Sequence, residues 1–137
     1  MSNIVKLFGY GSLTDKRIQN ILFKRNLKMI PAKLHNWITY VCSEGYLGIT
    51  RNKNTYVMGY LIELTKEEIK ICDLWEEIPI YEKEFLEIEI VEDDLFRKVY
   101  AYTRQLNSQL SEFKKYKLLE SDYLIQEANL FMKKLMI

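Results

Sequence analysis

The stretch Leu7-Phe8-Gly9-Tyr10-Gly11-Ser12-Leu13 (LFGYGSL, residues 7–13) joins two unlike patterns. Upstream, Ile4, Val5, Leu7 and Phe8 form an apolar run suited to a strand over residues 3–9. Downstream, Thr14 supplies a hydroxyl to cap free amides and Asp15 an acid for a first helical turn. Ile18, Ile21 and Leu22 follow at helical spacing, which predicts a short helix over residues 15–24. Between the two, Gly9 and Gly11 stand close together. A glycine-rich strand-to-helix turn can aim successive backbone N–H groups at an anion or a developing oxyanion. It is not a P-loop, because no Gly-Lys-Ser/Thr follows, and it lacks the third glycine of a dinucleotide fingerprint. From the turn alone, a tight bend with no ligand is the plainer reading.

Residues 27–63 read as β-rich. The pieces NLKMIPAKLHN, WITYVCSE, YLGITR and NTYVMGYLIEL are separated by Gly, Asn and charged turns, and Asn52-Lys53-Asn54 has the look of a hairpin tip. Thr65-Lys66-Glu67-Glu68 is a capping box that opens a helix over about residues 66–76. YEKEFLEIEIVE and LFRKVYAYTR form a last strand pair that turns at Glu92-Asp93-Asp94. In the first of these, Leu86, Ile88 and Ile90 alternate with Glu87 and Glu89, as in a sheet with one wet face. The tail from Ser111 to Ile137 reads as one or two helices. Many short strands with few helices predict an α+β fold, a twisted sheet or small barrel with helices at its edges.

A second stretch, CDLWEEIPIYEK (residues 72–83), carries a carboxyl in an unusual place. On a helix running to Glu76, successive residues are 100° apart. Ile69 and Cys72 then flank Glu76 on the apolar face, while Lys66, Lys70 and Asp73 cluster on another. A carboxyl there is hydrogen-bonded, paired, or lifted in pKa by desolvation toward the range of a general acid/base. The plain alternative is a helix-end residue paired with a lysine.

Composition narrows the classes. The 137 residues suit one domain (1–137), with 48% hydrophobic and 28% charged residues. The 20 basic and 19 acidic residues are mixed along the chain, which gives no footprint for nucleic acid or an anionic membrane. No apolar run is long enough to span a bilayer, and the first residues lack a signal-peptide layout, so the expectation is cytoplasmic. Cys42 and Cys72 read as reduced, buried thiols. With His35 the sole histidine and no close cysteine pair, no transition-metal site is expected. A pairing of His35 with Ser12 or another serine has no support in the spacing, and His35 reads as structural or surface.

The two stretches gain meaning together. FGYGSL after an N-terminal strand, then Val57-Met58-Gly59-Tyr60-Leu61-Ile62-Glu63-Leu64-Thr65, then Asp73, Glu76, Pro79, Tyr81 and Lys83, resembles the γ-glutamylcyclotransferase family in order and spacing. That family includes γ-glutamylamine cyclotransferases and AIG2-like proteins, and the matched elements run from residue 7 to about 104. The resemblance implies a small, strongly curved, mixed β-barrel with flanking helices and a cavity at one end. It implies cleavage of a γ-glutamyl amide without water and with no metal or cofactor. The substrate's α-amine attacks its own γ-carbonyl, closing 5-oxoproline and releasing an amine or amino acid.

Carried over by position, Glu76 is the proton shuttle. Tyr10, Gly11, Ser12 and Leu13 form the loop that grips the γ-glutamyl group, with Gly11 leaving room where the substrate lies. Tyr81 either lines the pocket and orients Glu76 through its hydroxyl or fills the core as an aromatic. Tyr116 is the nearest candidate for a tyrosine that some relatives place by the substrate. Three positions depart from the family pattern. Glu77 replaces the glycine usual after the catalytic glutamate, Lys83 an arginine, and Gly9 an alanine. Adjacent helical residues diverge, so Glu77 is expected to face solvent. The implied partner is a small γ-glutamyl compound, and family precedent suggests a monomer or loose homodimer. The competing reading is a non-catalytic module that binds a γ-glutamyl ligand on the same fold.

Overall fold

The computed structural model describes residues 4–76, 80–106 and 116–135. Five strands and three α-helices alternate along the chain: β1 (Ile4–Gly9), α1 (Lys16–Phe23), β2 (Met29–Val41), β3 (Leu47–Thr65), α2 (Lys66–Trp75), β4 (Glu82–Ile90), β5 (Phe96–Thr103) and α3 (Ser121–Leu135). The strands are hydrogen-bonded in the closed order β1-β3-β2-β4-β5. The fold is therefore α+β with a strongly curved, barrel-like sheet. It is mixed, since β1 runs parallel to β5 through Leu7↔Tyr100 and Phe8↔Ala101, whereas the other pairings are antiparallel. Closure is slender: β2 meets β4 through Ala32↔Ile90 and Lys33↔Glu89. Most of the ladder belongs to β3, which pairs with β2 along much of its length and with β1 at its end.

The apolar run in β1 serves two cores at once, as expected where both faces of a strand are covered. Phe8 points into the sheet's interior with Leu34, Trp37, Ile49, Val57 and Val99. Its neighbour Leu7 points outward with Ile62 and Leu64, and helices cover that face through Ile18, Leu22, Ile69 and Ala128. Cys72 is buried in this outer core, and both cysteines are free thiols. His35 lies on the surface with its Nε2 2.7 Å from Glu89 Oε1.

Several expectations change. Asp15, not Thr14, caps α1: its carboxylate accepts the Arg17 amide at 2.8 Å, while the Thr14 hydroxyl donates to Gly11 O at 2.7 Å. Residues 12–14 form a turn of 3-10 helix that keeps Thr14 out of the capping position. Asn52-Lys53-Asn54 is no hairpin tip, because β3 continues through it. The register instead shifts between His35 and Trp37, where Asn36 and Asn54 take φ of 67° and 65° and the Asn36 side chain accepts the Asn54 amide. Asparagine tolerates that left-handed backbone, so a bulge and a turn look alike in sequence. The reversal between β2 and β3 falls at residues 42–46, with Gly45 at φ 91°. The capping box opening α2 forms as expected, as does the turn before β5. Of the tail expected to be helical, residues 116–120 carry no regular structure, α3 spans Ser121–Leu135, and 111–115 and 136–137 lie outside the described residues. Among the described residues, no helix is long and apolar enough to cross a membrane.

Candidate active site

The strand-to-helix turn opens into a cavity of about 700 Å³ at the end of the sheet, a size suited to a small-molecule ligand. Tyr10, Gly11, Ser12, Leu13, Glu76 and Tyr81 all line it. The turn is held by its own hydrogen bonds: Thr14 N donates to Gly11 O and Asp15 N to Ser12 O, each at 3.0 Å. The fully buried Gln19 braces it further, donating to Leu13 O at 2.8 Å while its Oε1 accepts the Leu27 amide at 3.0 Å. The Tyr10 hydroxyl donates to Tyr102 O at 2.7 Å.

The two nearby glycines do different work. A Cβ on Gly9 would run into Ile62 Cδ1, so that glycine is set by packing of the outer core. A Cβ on Gly11 would meet only Leu47 Cβ at 3.9 Å, an ordinary contact, and would otherwise stand in open space. The open space is the cavity.

Glu76 caps the C-terminus of α2, its amide donating to Cys72 O at 2.8 Å, and its half-buried side chain lines the cavity. The preceding residue ties this helix end to the turn: Trp75 Nε1 donates to Ser12 Oγ at 3.0 Å across 63 residues of sequence. A second tie lies one turn earlier. Asp73 Oδ1 accepts the Tyr102 hydroxyl at 2.6 Å, and both its oxygens meet Lys83 Nζ, at 3.1 and 3.0 Å. Asp73 shares a helix face with Lys66 and Lys70, as the spacing predicts, but the partners that β5 and β4 supply to it are not shown by helical spacing alone. The Asp73–Lys83 pair spans the connection from α2 to β4 and accounts for the spacing of those two motif residues. Glu77 and Pro79 lie outside the described residues.

Tyr81 is buried in the cavity wall, but its single hydroxyl proton goes to Leu47 O at 2.7 Å, with Cys42 Sγ 3.8 Å away. That corrects the expectation that this hydroxyl orients Glu76; the ring fixes the wall, and Arg104 lies over it. Tyr116 is described but is not among the cavity-lining residues; Tyr46 and Tyr102 are. Tyr46 donates to Glu127 Oε2 at 2.6 Å, linking the β2–β3 reversal to α3. Sequence reading missed Trp75, Tyr102, Tyr46 and Gln19. Trp75 stands beside Glu76, the one local signal available; the others act through partners distant in sequence.

Burial pushes the phenols of Tyr10 and Tyr81 and the thiol of Cys72 upward, and in each case the nearby Glu76 charge adds to the effect. Tyr102 is raised in the same way, by burial and then by its hydrogen bond to Asp73. These groups stay protonated at neutral pH, which leaves carboxylates as the proton acceptors within the cavity. Among the described residues, no cluster of three or more His, Cys, Asp or Glu could hold a metal ion.

The family described as "Gamma-glutamyl cyclotransferase, AIG2-like" matches residues 7–124. The chain belongs to that family. A Methanocaldococcus jannaschii protein described as "Gamma-glutamylcyclotransferase and putative RNase" is 27% identical over 106 residues, covering 76% of this chain and 48% of that protein. The chain thus spans about half the length of this curated relative. The solution structure of an Arabidopsis thaliana protein superposes with a TM-score of 0.73 at 18% identity, over 98% of this chain and 89% of that one. An AIG2-like protein from Mus musculus gives 0.67 at 15% identity, over 87% and 88% of the two chains. At these identities the likeness to solved structures is one of fold. Residues 7–13 and 73–83 both fall within the matched range.

Proposed function

We propose that the chain is a γ-glutamylcyclotransferase-type enzyme whose cavity binds a small γ-glutamyl amide. The observation that carries this reading is the meeting of Glu76 with the Tyr10–Leu13 turn on one cavity, joined through the Trp75–Ser12 hydrogen bond. Backbone amides of the turn, with the Ser12 hydroxyl, hold the γ-glutamyl group and the developing oxyanion. Glu76 takes a proton from the substrate's α-ammonium, and the freed amine attacks the γ-carbonyl carbon. The new C–N bond closes a five-membered ring. Glu76 then returns that proton to the leaving nitrogen as the original amide bond breaks, and the second proton that the attacking nitrogen sheds to become the lactam N–H follows, so the amine departs protonated. No water is consumed, and the products are 5-oxoproline and a free amine. Because nucleophile and electrophile belong to one molecule, holding the substrate in a near-attack shape supplies much of the acceleration.

Incubation with a panel of γ-glutamyl amides is expected to release 5-oxoproline, and Glu76→Gln to lower the rate by at least about 10²-fold with the fold intact by circular dichroism. Undiminished turnover in that variant would overturn the role of Glu76. Binding of panel members with no product from any of them would favour a non-catalytic γ-glutamyl-binding module instead.

A further inference from the structure

In the reaction proposed above, the γ-glutamyl group sits against the turn, at the inner end of the cavity. The outer part of the same cavity has a different lining. There α3 runs along one wall and presents Leu124, Glu127, Phe131 and Lys134 at helical spacing, with Leu130 beside them. Phe131 packs edge-on against Trp75, ring centroids 5.4 Å apart, which makes the apolar surface continuous with the helix end that carries Glu76. Leu74 and Leu118 add to the wall from other segments. Three of these leucines are largely open to solvent, Leu74 at 56%, Leu118 at 46% and Leu130 at 56%, yet all converge on one concavity. Exposed apolar groups gathered in a concave surface favour an apolar occupant that displaces their water.

The charges point the same way. Among the described lining residues, Lys134 is the only cation, set against the carboxylates of Asp15, Glu76 and Glu127. Asp15 is engaged by Arg17, and Glu127 by the Tyr46 hydroxyl. On the outer wall itself Glu127 and Lys134 bring one charge of each sign, which gives a carboxylate on the leaving amine no net attraction. An ammonium would lose water against leucine side chains. We infer that the leaving amine carries an uncharged, apolar substituent, an alkyl or aryl group seated on Leu118, Leu124, Leu130 and Phe131. This rests on the cyclotransferase reading, and the test separates the two.

The 137-residue chain is assayed for 5-oxoproline with γ-glutamyl amides of ethylamine, butylamine and hexylamine, and with the ω-amino and ω-carboxy counterparts of the hexyl amide. Binding of the same amides to the Glu76→Gln variant is measured by calorimetry. The expected result is a kcat/KM that rises by up to about fourfold per added methylene, with both charged counterparts at least about tenfold below the hexyl amide. Leu130→Gln is expected to lower the hexyl-to-ethyl ratio roughly threefold. Turnover with a flat series, or with a charged counterpart matching the hexyl amide, overturns the apolar preference and leaves the cyclotransferase reading standing. Affinity that climbs with chain length while no amide yields 5-oxoproline overturns the cyclisation and leaves the apolar preference standing. Neither binding nor turnover from any amide overturns both.

Discussion

Two cavities of nearly equal size lie at opposite ends of β5, about 700 Å³ beside Tyr102 and about 720 Å³ beside Phe96. Volume does not distinguish them; what ends there does. The first receives the turn after β1 and the C-terminus of α2, places where backbone groups are not consumed by a ladder or a helix. The second is walled by strand residues and the bulge, and its His35 and Arg51 are engaged by carboxylates outside the lining. There His35 meets Glu89 at 2.7 Å, while the Arg51 guanidinium lies 4.8 Å over Trp37 and 4.0 Å from Glu84. A cavity becomes a candidate site where the end of a strand and the end of a helix both open onto it, and of these two cavities the first meets that condition.

The sharpest way to break this comparison is to neutralise one carboxyl in each cavity. Glu76→Gln in the first is expected to cost at least about 10²-fold in 5-oxoproline release, as for removal of a general acid/base. Glu87→Gln in the second is expected to leave the rate within about twofold. The opposite pattern would move the site to the other end of the sheet.

Glycines separate scaffold from site on a smaller scale. In Gly59→Ala the new methyl would press on the Gly9 carbonyl and the Phe8 ring. Overpacking of this kind costs roughly 2 kcal/mol, or roughly 8 °C in Tm for a chain of this size. In Gly11→Ala the methyl enters the cavity, so KM is expected to rise about tenfold with Tm nearly unchanged. Calorimetric melting and steady-state kinetics on the two variants check both halves, and a Gly11→Ala protein that melts early with unchanged KM would reverse the assignment. A smaller effect is expected from Trp75→Phe, which removes the donor to Ser12 and about 1 kcal/mol of positioning. It should appear in kcat, by about fivefold, and hardly in KM; an unchanged kcat would show that the link does not position Glu76.

How much of this was legible in the sequence depends on the range of the interaction concerned. The capping box at Thr65–Glu68, the apolar alternation in β4 and the turn at 7–13 are local, and each appears where sequence reasoning placed it. Glu76 was visible because helical spacing put it beside Ile69 and Cys72, and it does line a cavity. The face that Asp73 occupies follows from helical spacing, but its partners, Tyr102 and Lys83, do not, because they come from other elements. Asn52-Lys53-Asn54 reads as a hairpin tip although β3 runs through it, since asparagine marks a left-handed backbone without saying whether the strand resumes. Gln19 carried no local sign at all, because its value lies in the Leu13 carbonyl and Leu27 amide that it joins.

The smallest expected effect concerns the far end of the helix that carries Glu76, remote from either cavity. Glu68 closes the capping box by accepting the Thr65 amide at 2.9 Å, and its two oxygens take Arg25 Nη2 at 2.7 Å and Nε at 2.8 Å. The hydrogen-bonded Arg25 guanidinium holds this carboxyl below the usual glutamate range, against the opposing effect of burial. A carboxyl lowered on folding contributes stability that is present above its unfolded pKa, about 4.3, and lost as pH falls through the folded value. Glu68→Gln keeps an acceptor for the cap but removes the charge. It should therefore lower stability at pH 7 by about 1 kcal/mol, roughly 4 °C in Tm, and the gap to the parent should close below about pH 4. Melting curves across that range test the sign directly, since a gap that persists in acid would assign the loss to packing rather than to the ion pair. Turnover at pH 7 should match the parent in either case. A charge can anchor the start of α2 without entering the chemistry at its end.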